Sequence, residues 1–174
     1  MHGYRFCPKC GGGLEEQLQE GRARLLCRSC RFVLYLNPRP TTCAVMVEGD
    51  RVMLVRRAVE PRRGFWDLPG GFLEQGEHPA EGLRREVREE TGLEIEILEP
   101  LGFLLDRYPE PGETTLNLYF VARVTSGKPT PGSDVAEIRW FSRDALPPAE
   151  EIAFANNRAA LTAWLAGERH VIRP

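Results

Sequence analysis

Four carboxylates and one arginine stand at fixed spacing in Gly71–Leu93, which reads GFLEQGEHPAEGLRREVREETGL. A glycine is followed by five residues and Glu77, then by seven residues and the run Arg85-Glu86-Val87-Arg88-Glu89-Glu90-Thr91-Gly92-Leu93. Carboxylates packed this densely repel one another. A hard cation such as magnesium or manganese reverses that, because it takes oxygen ligands and is commonly shared with substrate phosphates. Arg85 could orient Glu77 or Glu86 through a two-pronged pair. REVREE alone would read as a solvated, salt-bridged face; nine specified positions within 23 residues do not.

The element that must carry these groups is a helix. His78-Pro79 suits its start, since proline at the first helical position loses no needed N–H. Glu81 in the first turn complements the positive end of the helix dipole, and Gly92 suits the stop. At about 100° per residue, Glu86, Glu89 and Glu90 fall within an arc of roughly 100°. Ala80, Leu83 and Val87 form an apolar stripe beside it, and Glu81, Arg84 and Arg88 point to water.

This constellation resembles the Nudix box and matches it at every specified position, with Trp66-Asp67-Leu68-Pro69-Gly70-Gly71 as a similar lead-in. The resemblance covers roughly residues 38 to 166. It implies an α/β (α+β) Nudix fold, a mixed β-sheet sandwiched between α-helices. It also implies hydrolysis of a nucleoside diphosphate linked to another moiety. By that resemblance Glu86, Glu89, Glu90 and the Gly70 carbonyl would hold magnesium or manganese, with Arg85 and Glu77 as a supporting pair. A further carboxylate often comes from the region before the last strand, which points to Asp134, with Glu137 as the alternative. Gly82 departs from the usual pattern. Glycine costs up to about 1 kcal/mol inside a helix, so close packing against the sheet is the expected reason.

Cys7-Pro8-Lys9-Cys10 and Cys27-Arg28-Ser29-Cys30 are two CxxC knuckles separated by 16 residues. Four thiolates so spaced close a tetrahedral zinc site, and the paired spacing favours zinc over disulfides. A zinc ribbon over residues 1–36 followed by a Nudix domain over 37–174 is the expected organisation, with the join at Asn37-Pro38-Arg39-Pro40. Residues 1 to 35 carry six Lys/Arg against three Asp/Glu, and zinc with four thiolates would leave about +1. A structural or dimerising role is therefore favoured over nucleic-acid contact. The chain of 174 residues has a formal charge of −2 and 42% hydrophobic residues, as expected for a soluble domain plus a small module. It shows neither a signal-peptide core nor a run able to span a bilayer, which points to the cytoplasm.

Thr42–Val47 and Arg51–Arg56 alternate around Glu48-Gly49-Asp50 as a hairpin, with Cys43 buried in its first strand. Strands are expected at Glu94–Leu98, Leu101–Asp106 and Thr115–Val124, and a last one leads to Phe141. A C-terminal helix is expected over Ile152–Ala166, with Leu161, Trp164 and Leu165 facing the core. Arg57 and Arg63 flank a basic loop where phosphate contact is plausible chemistry. Trp66 and Tyr108 complete the expected substrate contacts.

The substrate reading rests on groups within the family. A ribbon followed by Tyr35-Leu36-Asn37-Pro38, together with the later EEIAFANN segment, is similar to ADP-ribose and FAD pyrophosphatases. The NADH and NAD-cap pyrophosphatases also carry a ribbon, but residues 94 to 109 lack their run of Ser, Gln, Pro and Trp. A nucleotide-sensing regulator would show a degenerate box, and here the box is intact.

Overall fold

The computed structural model describes residues 3–107, 113–132 and 134–168, and the backbone of 171–172. The chain divides into two compact units, 1–38 and 39–174.

In the first unit, β1 (Leu14–Gln19), β2 (Arg22–Cys27) and β3 (Val33–Leu34) form an antiparallel sheet. Gln19 pairs with Arg22, so the turn holds only Glu20 and Gly21, both at positive φ (50° and 77°). That is the two-residue turn whose twist matches the flanking strands. β1 is absent from the sequence reading because LEEQLQ is mostly polar and the small sheet buries little of it.

In the second unit, β4 (Arg39–Glu48) and β5 (Arg51–Arg57) form the expected hairpin. The sheet order is β10-β5-β4-β9-β8-β11, with β8 Leu93–Arg107, β9 Thr114–Gly127, β10 Val135–Ser142 and β11 Val171–Ile172. β4 runs parallel to β9 and β11 parallel to β8, while the other pairs are antiparallel, so the sheet is mixed. Short β6 (Trp66–Asp67) pairs with β5, and β7 (Gly70–Phe72) pairs with β4.

Alternation along the central strands divides the core into two layers. Cys43 and Val45 of β4, with Val52 and Leu54 of β5, pack with Leu101, Tyr119, Ala160 and Leu161. Ala44, Met46 and Met53 pack with Leu83, Val87 and Ile95. Thus α1 (Pro79–Thr91) covers one face and α2 (Ala155–Ala166) the other. Among the described residues, no helix is long and apolar enough to cross a membrane.

Three expectations change. The strands expected at Glu94–Leu98 and Leu101–Asp106 are one strand, β8, which absorbs Leu98–Pro100 through register shifts against β9. α2 begins at Ala155 rather than Ile152, because Ile152 is buried in a bridge to Trp66 after a short 3₁₀ turn at Ala149–Glu151. Within α2, Leu161 is buried and Trp164 packs against the core, whereas Leu165 is only half-buried.

Candidate active site and zinc site

α1 starts and stops as its sequence dictates. His78 has extended backbone (φ −74°, ψ 138°), and its Nδ1 accepts the Ala80 N–H at 3.2 Å. Gly92 adopts the left-handed conformation (φ 70°) and its N–H reaches Arg88 O at 2.8 Å. Leu83 and Val87 are fully buried, which turns the anionic stripe toward the loop before the helix. Burying two such side chains contributes about 2 kcal/mol each.

The three carboxylates of the stripe sit in different surroundings. Glu90 is buried and its Oε2 accepts the Gly70 N–H at 2.9 Å. Glu86 is half-buried and Glu89 is exposed. Gly70 can approach Glu90 only as glycine: its φ is +146°, and a Cβ there would lie 2.0 Å from Thr42 O. Gly71 is less constrained: its Cβ would lie 2.6 Å from the Glu86 carboxyl carbon, so a side chain there would have to move that carboxylate.

Arg85 locks the stripe to the preceding loop. Nε and Nη2 donate to the two oxygens of Glu77 at 2.8 and 2.9 Å, and Nη2 also reaches Phe72 O at 3.1 Å. Nη1 donates to Glu86 Oε1 at 2.8 Å and to Glu89 Oε2 at 3.3 Å. The arginine therefore serves both partners that its sequence position allowed. Gly82 explains itself here. A Cβ would lie 2.4 Å from Leu73 Cδ2 and 2.8 Å from Glu77 Oε2. The close packing is against this loop rather than against the sheet, and it leaves room for the Glu77 carboxylate beside Arg85.

The charges diverge accordingly. Hydrogen bonding to Arg85 holds Glu77 down to about 2. Burial pushes Glu86 up despite Arg85, with Glu89 and Asp134 adding repulsion. Burial pushes Glu90 well above the carboxylate range; the Gly70 N–H opposes this, and Asp134, Asp67 and Glu86 reinforce it. Buried carboxylates such as Glu86 and Glu90, whose charge is disfavoured without a counter-ion, suit a hard divalent cation.

Asp134 is exposed, yet its charge acts on both Glu86 and Glu90. Its loop is stitched to the end of α1 by Thr130 N–H to Thr91 O and Gly132 N–H to Glu90 O, both 2.8 Å. Glu137 instead pairs with Arg139 and lies 3.7 Å from Arg56.

Two of the four expected substrate contacts, Arg57 and Trp66, are engaged within the fold. Arg57 donates to Asp67 Oδ2 at 3.0 Å and to Pro61 O at 2.7 Å, and its guanidinium lies over Phe154. Those two bonds tie its guanidinium to β6 and to the loop before it. Trp66 is 5% exposed and packs edge-on against Phe141 with ring centroids 4.9 Å apart, so it is a core residue. Arg63 is exposed, and Tyr108 lies outside the described residues.

A buried polar network is absent from the sequence reading. Asp67 Oδ1 accepts the Leu68 N–H and the Asn157 amide, and Asn157 Oδ1 accepts the Tyr119 hydroxyl at 2.6 Å. Thr41 Oγ1 donates to Asn117 Oδ1 at 2.7 Å. The available signal was a polar residue inside an apolar alternation, as at Asn117 within TTLNLYFV, since buried polar side chains are uncommon and usually paired.

In the first unit, one sulfur from each of Cys7, Cys10, Cys27 and Cys30 lies within 4.8 Å of the others. Cys7 Sγ stands 3.7 Å from Cys30 Sγ, and Cys10 Sγ 3.5 Å from Cys27 Sγ. Thiolates at about 2.3 Å from a tetrahedral zinc ion would stand about 3.8 Å apart, so the cluster fits zinc. A hydrogen bond from the Cys30 N–H lowers the Cys27 thiol to about 6, while hydrogen bonds with the other thiols push Cys10 up to about 12, so zinc binding would displace protons from the cluster.

The chain is 36% identical over 147 residues to the NAD-capped RNA hydrolase NudC of Pseudomonas aeruginosa, covering 83% of this chain and 50% of that protein. It therefore spans about half the length of these curated relatives. It is 31% identical over 117 residues to the ADP-ribose pyrophosphatase of Methanocaldococcus jannaschii, covering 67% of this chain and 69% of that one. A crystal structure of a NUDIX hydrolase from Nitrosomonas europaea superposes with a TM-score of 0.81 at 30% identity, covering 94% of this chain and 91% of that one. The NUDIX domain model matches residues 37–165 and the Nudix N-terminal zinc-ribbon model residues 5–36. The sequence motif, the mixed sheet between two helices, the carboxylate stripe and these matches agree: the chain belongs to the Nudix family.

Proposed function

We propose that the protein hydrolyses the diphosphate linkage of a nucleoside diphosphate joined to another moiety, of the ADP-ribose, FAD or related dinucleotide class, and releases a nucleoside monophosphate. The observation that carries this reading is the stripe Glu86, Glu89 and Glu90 locked by Arg85 to Glu77 and faced by Gly70 and Gly71. Glu86, Glu89, Glu90 and the Gly70 carbonyl would hold magnesium or manganese. Bound there, such an ion neutralises phosphate charge and acidifies a water. Arg85 bonds Glu86 and spends its remaining donors on Glu77, Glu89 and Phe72 O. Asp134, whose charge already bears on Glu86 and Glu90, accepts the proton of the attacking water. Glu137 is the weaker candidate because Arg139 and Arg56 engage it. The four-thiolate ribbon would hold structural zinc, which suits a reducing compartment such as the cytoplasm.

A second reading is hydrolysis at the NAD cap of RNA. The similarity to NudC favours it; the missing Ser/Gln/Pro/Trp run after the box counts against it. The test is a turnover panel of ADP-ribose, FAD, NADH and NAD-capped RNA, each with magnesium or manganese. AMP release from ADP-ribose or FAD supports the first reading. Preference for the capped RNA moves the assignment to the second. Tight binding without turnover of any would mark a nucleotide sensor and end both.

A further inference from the structure

The segment between β9 and β10 rests on the last turn of α1 more closely than a side chain allows. At Gly132 an added Cβ would stand 2.1 Å from Glu89 O, 3.1 Å from Glu89 C and 3.1 Å from Glu90 Cα. All three atoms are backbone, so no side-chain rotation relieves the clash. The φ of Gly132 is outside the left-handed range, so close approach is what requires glycine there. The end of β9 is nearly as tight, since a Cβ at Gly127 would stand 2.5 Å from Gly92 O.

Hydrogen bonds hold this contact. Gly132 N–H donates to Glu90 O and Thr130 N–H to Thr91 O, both at 2.8 Å. These are carbonyls that a helix end leaves without a partner of its own, so the loop caps α1. Two residues beyond Gly132 stands Asp134, whose O accepts the Ala58 N–H at 2.7 Å, and Val135 N–H returns to Gly132 O at 3.2 Å. The backbone of Asp134 is thus pinned between the end of β5 and the end of α1. Glu90 takes part on both sides: its main chain meets this loop and its carboxylate meets Gly70. The helix is anchored in turn by the fully buried Leu83 and Val87. If the contact is forced apart, the loop is therefore the part that yields.

We propose that Gly132 is a positioning residue: its bare backbone seats the loop on Glu89 and Glu90 and so sets how far Asp134 stands from the carboxylate stripe. The assignment rests on Asp134 taking the proton of the attacking water in the proposed hydrolysis. Gly132 touches neither substrate nor metal and acts through Asp134.

The test is a double-mutant cycle of Gly132→Ala and Asp134→Asn, read as turnover of ADP-ribose and of FAD with magnesium. Atoms in ordinary contact stand about 3.5 Å apart, so the added methyl must separate loop and helix by about 1 Å or more. A displacement of that size should lower kcat by about 10- to 100-fold, with KM held within about 2-fold. Asp134→Asn should lower kcat by about 100-fold. The double variant should stay within about 2-fold of Asp134→Asn, because moving the loop costs nothing once the base is gone. Calorimetric titration of Gly132→Ala with manganese should match the parent within about 2-fold, a result that a general loosening of the site would not give. Thr130→Pro carries the cycle if Gly132→Ala does not fold. It removes the bond to Thr91 O without adding bulk beside Glu89, and Pro131 already confines position 130 to extended backbone. It should lower kcat by about 5-fold. Unchanged kcat in the folded loop variant, additive losses in the cycle, or manganese affinity weakened by about 10-fold would overturn the inference. A parent inactive on both substrates would defeat the proposed activity as well. An active parent that loses turnover in Asp134→Asn but not in the loop variant would defeat this inference alone.

Discussion

At the scale of residues, one box contains carboxylates with opposed tasks. Glu77 is held ionised by Arg85, while burial drives Glu86 and Glu90 the other way, with Asp134 adding repulsion to both. Changing Glu86→Gln or Glu90→Gln should lower turnover by about two orders of magnitude or more while the unfolding transition stays cooperative; near-normal turnover in either would remove it from the metal site. Glu77 makes a prediction in pH. Its folded-state pKa is about 2 against an ordinary 4.5, so its stabilisation is present above the ordinary value and is lost as pH falls toward the depressed one. Thermal unfolding followed from about pH 5 to about pH 2 should show a shallower acid slope in Glu77→Gln than in the parent. Equal slopes would mean that the Arg85–Glu77 pair contributes nothing to stability. The pairing of Arg85 with Glu77 and Glu86 was legible in the spacing of the box. Which of the three stripe carboxylates would be buried was not, since that depends on where Gly70 and Gly71 come to rest.

At the scale of elements, two junctions bring the site together. Gly82 lets α1 approach the loop of Leu73 and Glu77. Alanine there would gain about 1 kcal/mol of helix propensity but must displace both neighbours, so Gly82→Ala should destabilise the domain by about 1–3 kcal/mol. Urea denaturation measures this, and a stabilised variant would show that the loop yields. Asp67 ties three elements together, because Arg57 of β5 and Asn157 of α2 both bond its carboxylate in β6. Asp67→Ala strands a partly buried guanidinium and should cost about 3 kcal/mol. A loss below about 1 kcal/mol would show that water replaces the carboxylate. Helix α1 could be read from its caps and stripes because those are local signals. β6 and β7 could not, being two and three residues long and defined by their partners across the sheet.

At the scale of the whole molecule, the two units draw on different sources of stability. The second has two apolar layers, one on each face of the sheet. The first buries Cys7, Leu26 and Cys27 and little else, so metal binding should supply most of its folding energy. Zinc release under a chelator is expected at about one ion per chain. Amide protection should then fall across residues 5–36 while β4, β5 and β9 remain protected; full protection in the ribbon after zinc loss would contradict this. By itself, the sequence determined the reaction-type motif, the capped helix that presents it, the central hairpin and the four zinc-type cysteines. All of these depend on spacing over a few residues or on the periodicity of one element. Tertiary structure alone decided that Trp66 is buried and that Arg57 pairs with Asp67. It also decided that Asp134 bears on the stripe and that its loop rests on the end of α1. Those outcomes depend on which side chains from distant segments meet, and burial then determines which polar groups are consumed by one another and which remain for a ligand.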